Sequence, residues 1–300
     1  EPVPMPRRIP SVTWSSAAAA ALIFSSRASM RPRLFWKSAA SYHGKTRMAN
    51  ITGQQRALDT LATAMPRRQG AAMTKPILVF DLDGTFAHTA PDLLDSLNYC
   101  LTLADLPPAD PTNLMRYVGH GGRVMIERAM QARGRTASPA ELERLMKAFI
   151  DHYEAGMPGK TKPFAGATSV LDAFDEAGWI HAICTNKYEV MSKRLLAGMG
   201  HDGRFKAICG QDTFAFKKPD PRHLTETIRM AGGDPDRAIM VGDSVTDIDT
   251  AKNAGIPVIA VSFGYSDRPV QEHEPSVVID SFDELTLDLA GRLLAAAKGR

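Results

Sequence analysis

The stretch Ile77-Leu78-Val79-Phe80-Asp81-Leu82-Asp83-Gly84-Thr85 decides how the chain is read. Four apolar residues followed by acids, Gly and Thr form the pattern of a buried parallel strand running out into a polar turn. Side chains alternate along extended backbone, so Asp81 and Asp83 can face one side while Leu82 faces the other. Gly84 allows a sharp turn and a close backbone approach to a ligand. Two carboxylates converging at the carboxyl end of a buried strand are costly unless a cation lies between them. Mg²⁺ is the cation expected of an all-oxygen site. Taken alone, the segment has a simpler alternative, a strand that ends in a solvated acidic turn.

Outward from this stretch, further motifs follow in order. Thr185-Asn186 comes after one apolar run, then Lys218-Pro219-Asp220-Pro221, then Gly242-Asp243-Ser244-Val245-Thr246-Asp247 after another apolar run. The ordered set resembles the haloacid dehalogenase-like (HAD) hydrolase superfamily and covers about residues 75–265. Any one of these motifs is weak, and together they are specific.

Between the motifs, helix and strand patterns alternate. The spacing predicts strands over 179–184, 205–209, 238–241 and 257–263, with helices over 166–177, 188–199, 221–231, 246–254 and 283–297. Such alternation calls for an α/β fold with a doubly wound parallel sheet, whose chemistry lies at the carboxyl ends of the strands. Each motif falls at or just after such an end. Residues 104–160 instead read as helical, with apolar spacing over 114–132 and 139–153 and a Ser138–Glu141 capping-box signature. A helix over 91–103 carries Thr89 as its N-cap. The expected organisation is an α/β core over 73–88 and 164–300 with a small helical cap domain, 89–163, inserted between the first two motifs, as in the helical-cap branch of the superfamily.

Composition narrows the remaining choices. The 300 residues are 44% hydrophobic, enough for one large domain or two modest ones. The net charge of +3 divides into +9 over residues 1–72 and −6 over the rest. The globular part is mildly acidic, so the overall basicity is no sign of nucleic-acid binding. Residues 1–72 lack steady periodicity, and their one apolar run, 17–24, is too short to span a bilayer. This Arg-rich lead is expected to be disordered. It reads either as a start placed upstream of Met73 or as an organelle transit peptide; Arg7-Arg8 before the apolar run also faintly suggests a secretion signal. Cys100, Cys184 and Cys209 are sparse and far apart, as expected of reduced thiols in the cytoplasm. Cys184 adjoins Thr185 without a neighbouring His, and it reads as a buried strand residue and not a nucleophile.

The resemblance implies phosphoryl transfer to an aspartate, then hydrolysis. Asp81 is implied as nucleophile, and Asp83 as the acid and base that serves the leaving oxygen and the attacking water. An acid at the position of Asp83 also argues against the dehalogenase branch. Thr185 and Asn186 supply a hydroxyl and an amide for the phosphoryl oxygens. Lys218, in preference to the adjacent Lys217, sets a cation against phosphate and nucleophile. Asp243 is implied as the third Mg²⁺ contact, with the Asp81 carboxylate and the Asp83 backbone carbonyl, and Asp247 as an orienting group behind it.

One departure is that Ala87-His88-Thr89 replaces the acid that relatives commonly carry; His88 either touches substrate or sits on the flap joining core and cap. Within the cap, Arg116-Tyr117-Val118-Gly119-His120-Gly121-Gly122-Arg123 reads either as a helix-breaking turn or as an anion-binding loop using His120 and Arg123. With Thr89-Ala90-Pro91-Asp92-Leu93 it resembles the phosphoglycolate phosphatase subfamily. The implied partner is a small phosphorylated metabolite, 2-phosphoglycolate first, with no nucleic acid and no membrane. A sugar phosphate or pyrophosphate, a phosphoglucomutase-like transfer, and a non-catalytic phosphate sensor stay open at this stage. Oligomeric state leaves no trace in the sequence.

Overall fold

The computed structural model describes residues 74–110 and 121–299. The sequence reading of residues 1–72, and of 114–120 as the start of a helix, lies outside the described residues. At the centre is β1 (Lys75–Phe80), paired in parallel with β4 (Ile180–Cys184) on one side and β6 (Gly233–Gly242) on the other. With β5 (Ala207–Cys209), β7 (Val258–Val261) and β8 (Val277–Ile279), the six parallel strands run in the order β5-β4-β1-β6-β7-β8.

The period-two alternation of these strands builds two cores. Leu78, Phe80, Ile183, Ile239 and Val241 pack into the cluster on one face. Ile77, Val79, Ala182, Met240 and Val258 enter the cluster on the other. Helices α4 (Ala167–Glu176), α5 (Glu189–Gly198), α6 (Pro221–Met230), α7 (Val245–Ala254) and α8 (Leu287–Lys298) connect or follow these strands. This is the α/β, doubly wound parallel sheet that the alternation predicts.

After the first strand, the chain makes a two-residue strand β2 (Ala87–His88) and returns to it through β3 (Lys162–Pro163) in an antiparallel ribbon. Between them lie α1 (Ala90–Leu103), α2 (Gly122–Gln131) and α3 (Pro139–Gly156). These helices share a cluster in which Leu93, Leu97 and Leu101 meet Met125, Ile126, Leu145, Phe149 and Tyr153. The three- and four-residue spacing of these positions makes one apolar face per helix. Met191 and Tyr265, from the sheet-bearing part, join the same cluster. Asp92 ties the two crossings: its carboxylate accepts from the Lys160 N–H at 2.9 Å, the Thr161 N–H at 2.8 Å and the Thr161 hydroxyl at 2.6 Å. No helix of the described residues is long and apolar enough to cross a membrane.

Some local expectations are corrected. Thr89 holds the N-cap position but its side chain caps nothing. The Ala90 N–H donates instead to the Tyr265 hydroxyl at 2.9 Å. Of the Ser138–Glu141 capping box only half forms. Ser138 accepts from the Glu141 N–H, while the Glu141 carboxylate is drawn away by Arg135 at 2.6 Å. The ribbon β2–β3 and the edge strand β8 have no counterpart in the sequence reading.

Candidate active site

Asp81 follows the last residue of β1, with its N–H donating to Val241 of β6 at 2.9 Å. The backbone thus continues the ladder by one step and delivers the side chain to the carboxyl end of the sheet. Neighbouring strands deliver the others: Thr185 follows β4, and Asp243 follows β6. Asp81, Asp243 and Asp247 each place a carboxylate oxygen within 4.8 Å of the others, and all three are buried.

Lys218 is the cation of this cluster. Its buried Nζ donates to Asp247 Oδ1 at 2.6 Å and lies 2.9 Å from Asp81 Oδ1. Lys217 is exposed and reaches Gln211, so of the two adjacent lysines it is Lys218 that lies against these carboxylates. The Lys218 loop is held from both ends. The Asn186 side-chain amide donates to its carbonyl at 3.0 Å, and its N–H donates to the buried His223 Nδ1 at 3.2 Å. Burial, with the Lys218 charge beside it, pushes the His223 imidazole down to about 4. The ring is therefore neutral and able to accept.

Asp247 also starts α7. It exchanges capping bonds with Ser244, its Oδ2 accepting from the Ser244 hydroxyl at 2.6 Å and from the Ser244 N–H at 3.1 Å. One carboxylate thus shapes the helix start and anchors Lys218. Asp243 accepts from the Thr85 hydroxyl at 2.9 Å and from the Tyr265 N–H at 2.6 Å.

The donor set suits a divalent cation. Three buried carboxylates face one lysine, an excess of negative charge that burial penalises. Burial, only partly offset by Lys218, raises the Asp81 carboxyl to about 6; burial, with Asp247 and Asp81 nearby, raises Asp243 to about 8. Asp81 Oδ1 is buried and lacks an aligned hydrogen bond, since its contact with Lys218 is one of charge. Glycines make room at this cluster: a Cβ on Gly84 would fall 2.4 Å from Asp243 Oδ2, and the Gly84 backbone has φ +84°.

Asp83 is held apart from the cluster. Both its oxygens accept from Lys187 Nζ at 3.1 Å, and the same ammonium donates to the Tyr153 hydroxyl of α3 at 3.0 Å. Burial opposes the charge on Lys187, but Asp83 and Tyr153 more than offset it and raise its pKa. The Thr185 hydroxyl is buried within hydrogen-bonding reach of Asp81 and accepts from the Lys187 N–H at 3.2 Å.

Of the remaining candidates, Arg123 pairs with Glu143 at 3.0 Å on an exposed face of the helical segment and is not among the groups gathered round Asp81. His120 lies outside the described residues. His88 Nδ1 meets the Tyr265 hydroxyl at 3.0 Å, which places it at the junction of the ribbon and the loop after β7. Lys187, Tyr153, Tyr265 and Thr85 escape sequence reasoning as site residues. Only Lys187 left a local signal, a lysine immediately after the Thr-Asn pair at a buried strand end.

The model of the haloacid dehalogenase-like hydrolase family matches residues 78–261. A phosphoglycolate phosphatase of Mesorhizobium japonicum is 60% identical over 225 residues, 75% of this chain and 99% of the relative. One of Agrobacterium fabrum is 48% identical, covering 73% of this chain and 94% of the relative. Among solved structures, a predicted phosphoglycolate phosphatase from Haemophilus somnus 129PT superposes with a TM-score of 0.65 at 27% identity, covering 71% of this chain and 97% of that one. The chain belongs to the haloacid dehalogenase-like hydrolases, in their phosphoglycolate phosphatase subfamily, and is a phosphoric monoester hydrolase.

Proposed function

We propose that the protein hydrolyses 2-phosphoglycolate to glycolate and phosphate through an aspartyl-phosphate at Asp81. The observation that carries the reading is the placement of Asp81: a buried carboxylate at the end of the central strand, beside Lys218, with a second acid two residues on held in a different environment. In the first step an Asp81 oxygen attacks phosphorus and the bond to the ester oxygen breaks. Asp83 gives that leaving oxygen its proton. In the second step water attacks the same phosphorus and passes a proton to Asp83. The Asp81–phosphorus bond then breaks, and phosphate leaves with Asp81 restored.

Lys218 sets its charge between two anions that otherwise repel, and the Thr185 hydroxyl and Asn186 amide lie at the strand end where the phosphoryl oxygens arrive. Mg²⁺ would be held by Asp81, Asp243 and the Asp83 carbonyl, with Asp247 orienting, and when bound it neutralises charge that develops on the phosphoryl group. The helical segment 89–163 serves as a cap that keeps water away, with His120 as its candidate contact to the substrate carboxylate; Arg123, held by Glu143 on an exposed face, would have to leave that pair to take part. Cys100, Cys184 and Cys209 are buried free thiols, which supports a reducing, cytoplasmic setting.

The test is phosphate release from 2-phosphoglycolate with Mg²⁺, beside sugar phosphates and pyrophosphate, with Asp81→Asn as the blank. Preferential, Asp81-dependent turnover of 2-phosphoglycolate is expected. Preference for another ester would keep the chemistry and overturn the substrate, and no turnover at all would overturn the enzyme reading.

A further inference from the structure

Among the described residues, the mechanism above leaves one buried lysine unused. Lys187 has a side chain only 6% exposed, and its ammonium meets three oxygens: both of Asp83 and the hydroxyl of Tyr153. It also lies 4.3 Å from the centroid of the Tyr153 ring. An ammonium carries three N–H donors, so these partners exhaust it. Its backbone is equally constrained. The Lys187 N–H donates to Thr185 Oγ1, its carbonyl accepts from the Gln211 N–H at 2.9 Å, and a Cβ on Gly210 would fall 2.6 Å from that carbonyl.

A buried ion pair is a poor device for stability, since an apolar replacement of similar volume is often neutral or better. A pair kept here points to a geometric need. Asp83 is the partner whose geometry matters: its side chain is a quarter exposed, and a group that exchanges protons with a reacting oxygen must stand within hydrogen-bond reach of it. The second anchor, Tyr153, is 2% exposed and belongs to α3, on the far side of the β2–β3 crossings.

We infer that Lys187 is a positioning residue for Asp83, and that Tyr153 ties it to the helical segment so that Asp83 is aligned only when α3 is seated against the loop after β4. The inference rests on the acid–base role of Asp83 given above. Lys187 touches neither Asp81 nor the carboxylate cluster. Its effect is therefore confined to steps that need Asp83, which separates it from Lys218.

Two substrates distinguish these roles. Loss of an alkoxide such as glycolate needs a proton, whereas p-nitrophenolate leaves with little help. The experiment compares kcat/KM, which reports the steps up to departure of the leaving group and not the later attack of water, for 2-phosphoglycolate and p-nitrophenyl phosphate in the wild type, Asp83→Asn, Lys187→Met and Tyr153→Phe. Asp83→Asn is expected to lose about 100-fold or more in kcat/KM on 2-phosphoglycolate and far less on p-nitrophenyl phosphate. Lys187→Met should show the same selectivity with a loss of about 30-fold, and Tyr153→Phe a loss of about fivefold. Should Lys187→Met fail to fold, Tyr153→Phe, which keeps the ion pair, carries the test alone. Equal losses in kcat/KM on both substrates would overturn the inference. If Asp83→Asn is selective and the other variants are not, only the role of Lys187 falls. If Asp83→Asn itself is not selective, the acid–base reading falls, and the inference with it.

Discussion

Gly264 packs so closely on Asp243 that a Cβ built on the glycine would lie 2.1 Å from the Asp243 Cβ and 2.5 Å from its Oδ2. The next residue, Tyr265, donates its N–H to that same oxygen. The loop after β7 therefore serves as a wall of the acidic cluster. Gly264→Ala has no room, and either Asp243 or the loop must move, at a cost of about 1–3 kcal/mol. We expect a lower melting temperature and a Mg²⁺ half-saturation for phosphate release raised about tenfold or more. Unchanged Mg²⁺ titration would show that the loop yields freely.

Lys218→Met leaves the buried Asp81 and Asp247 without their shared cation. Removing one partner of a buried pair costs about 3–5 kcal/mol. The variant should melt well below the wild type in EDTA and regain part of the difference with Mg²⁺, while phosphate release falls at least about 10³-fold. Melting curves with and without the metal check both statements.

The buried acidic cluster makes stability depend on pH. Without a cation, burial raises the Asp81 carboxyl to about 6 and Asp243 to about 8, both above the ordinary 3.8. A carboxyl raised on folding stabilises while protonated, and that contribution is lost as pH rises through those values. Metal-free protein should therefore weaken between about pH 4 and pH 8, and the gain in melting temperature on adding Mg²⁺ should be larger at pH 8 than at pH 5.5. Calorimetric titration should also detect protons released on binding near pH 7.

His223 acts in the opposite direction. Its imidazole is pushed down from 6.5 to about 4, so the neutral ring contributes stability that is complete above 6.5 and lost as pH falls toward 4. The full loss is about 3 kcal/mol. In the presence of Mg²⁺, denaturant melts at pH 7 and pH 4.5 should show a smaller acid penalty in His223→Asn than in the wild type. An identical penalty would place the acid sensitivity elsewhere.

The legible parts of this protein were those with local signatures. The run 77–80 announced a strand buried on both faces, and Asp81, Thr185 and Asp243 stood just after strand ends where α/β sheets place their chemistry, while Lys218 was marked by the Lys218-Pro219-Asp220-Pro221 run in the loop before α6. The parts that were not legible depend on distant pairing. Lys187 meets Asp83 across 104 residues, and Tyr265 reaches His88 across 177, separations over which no periodicity operates. The strand β8 has three residues and β2 only two, too short for alternation to register. At Glu141 a correct local rule lost to a competing one, because Arg135 offered the carboxylate a charged partner in place of a backbone N–H.

The strand order has a consequence for how the protein comes into being. Synthesis delivers Asp81 early, just after β1, yet its bond to Val241 and the hydroxyl-bonded pair Thr85 and Asp243, 158 residues apart, close only when β6 and the residue after it have been made. Until then the nascent chain holds Asp81 and Lys218 but neither Asp243 nor Asp247, the other two carboxylates of the cluster. Non-local pairing of this kind is slow, because loop-closure entropy must be overcome before any contact rewards it. The acidic cluster is thus born incomplete, and a chain truncated before β6 lacks two of its three carboxylates.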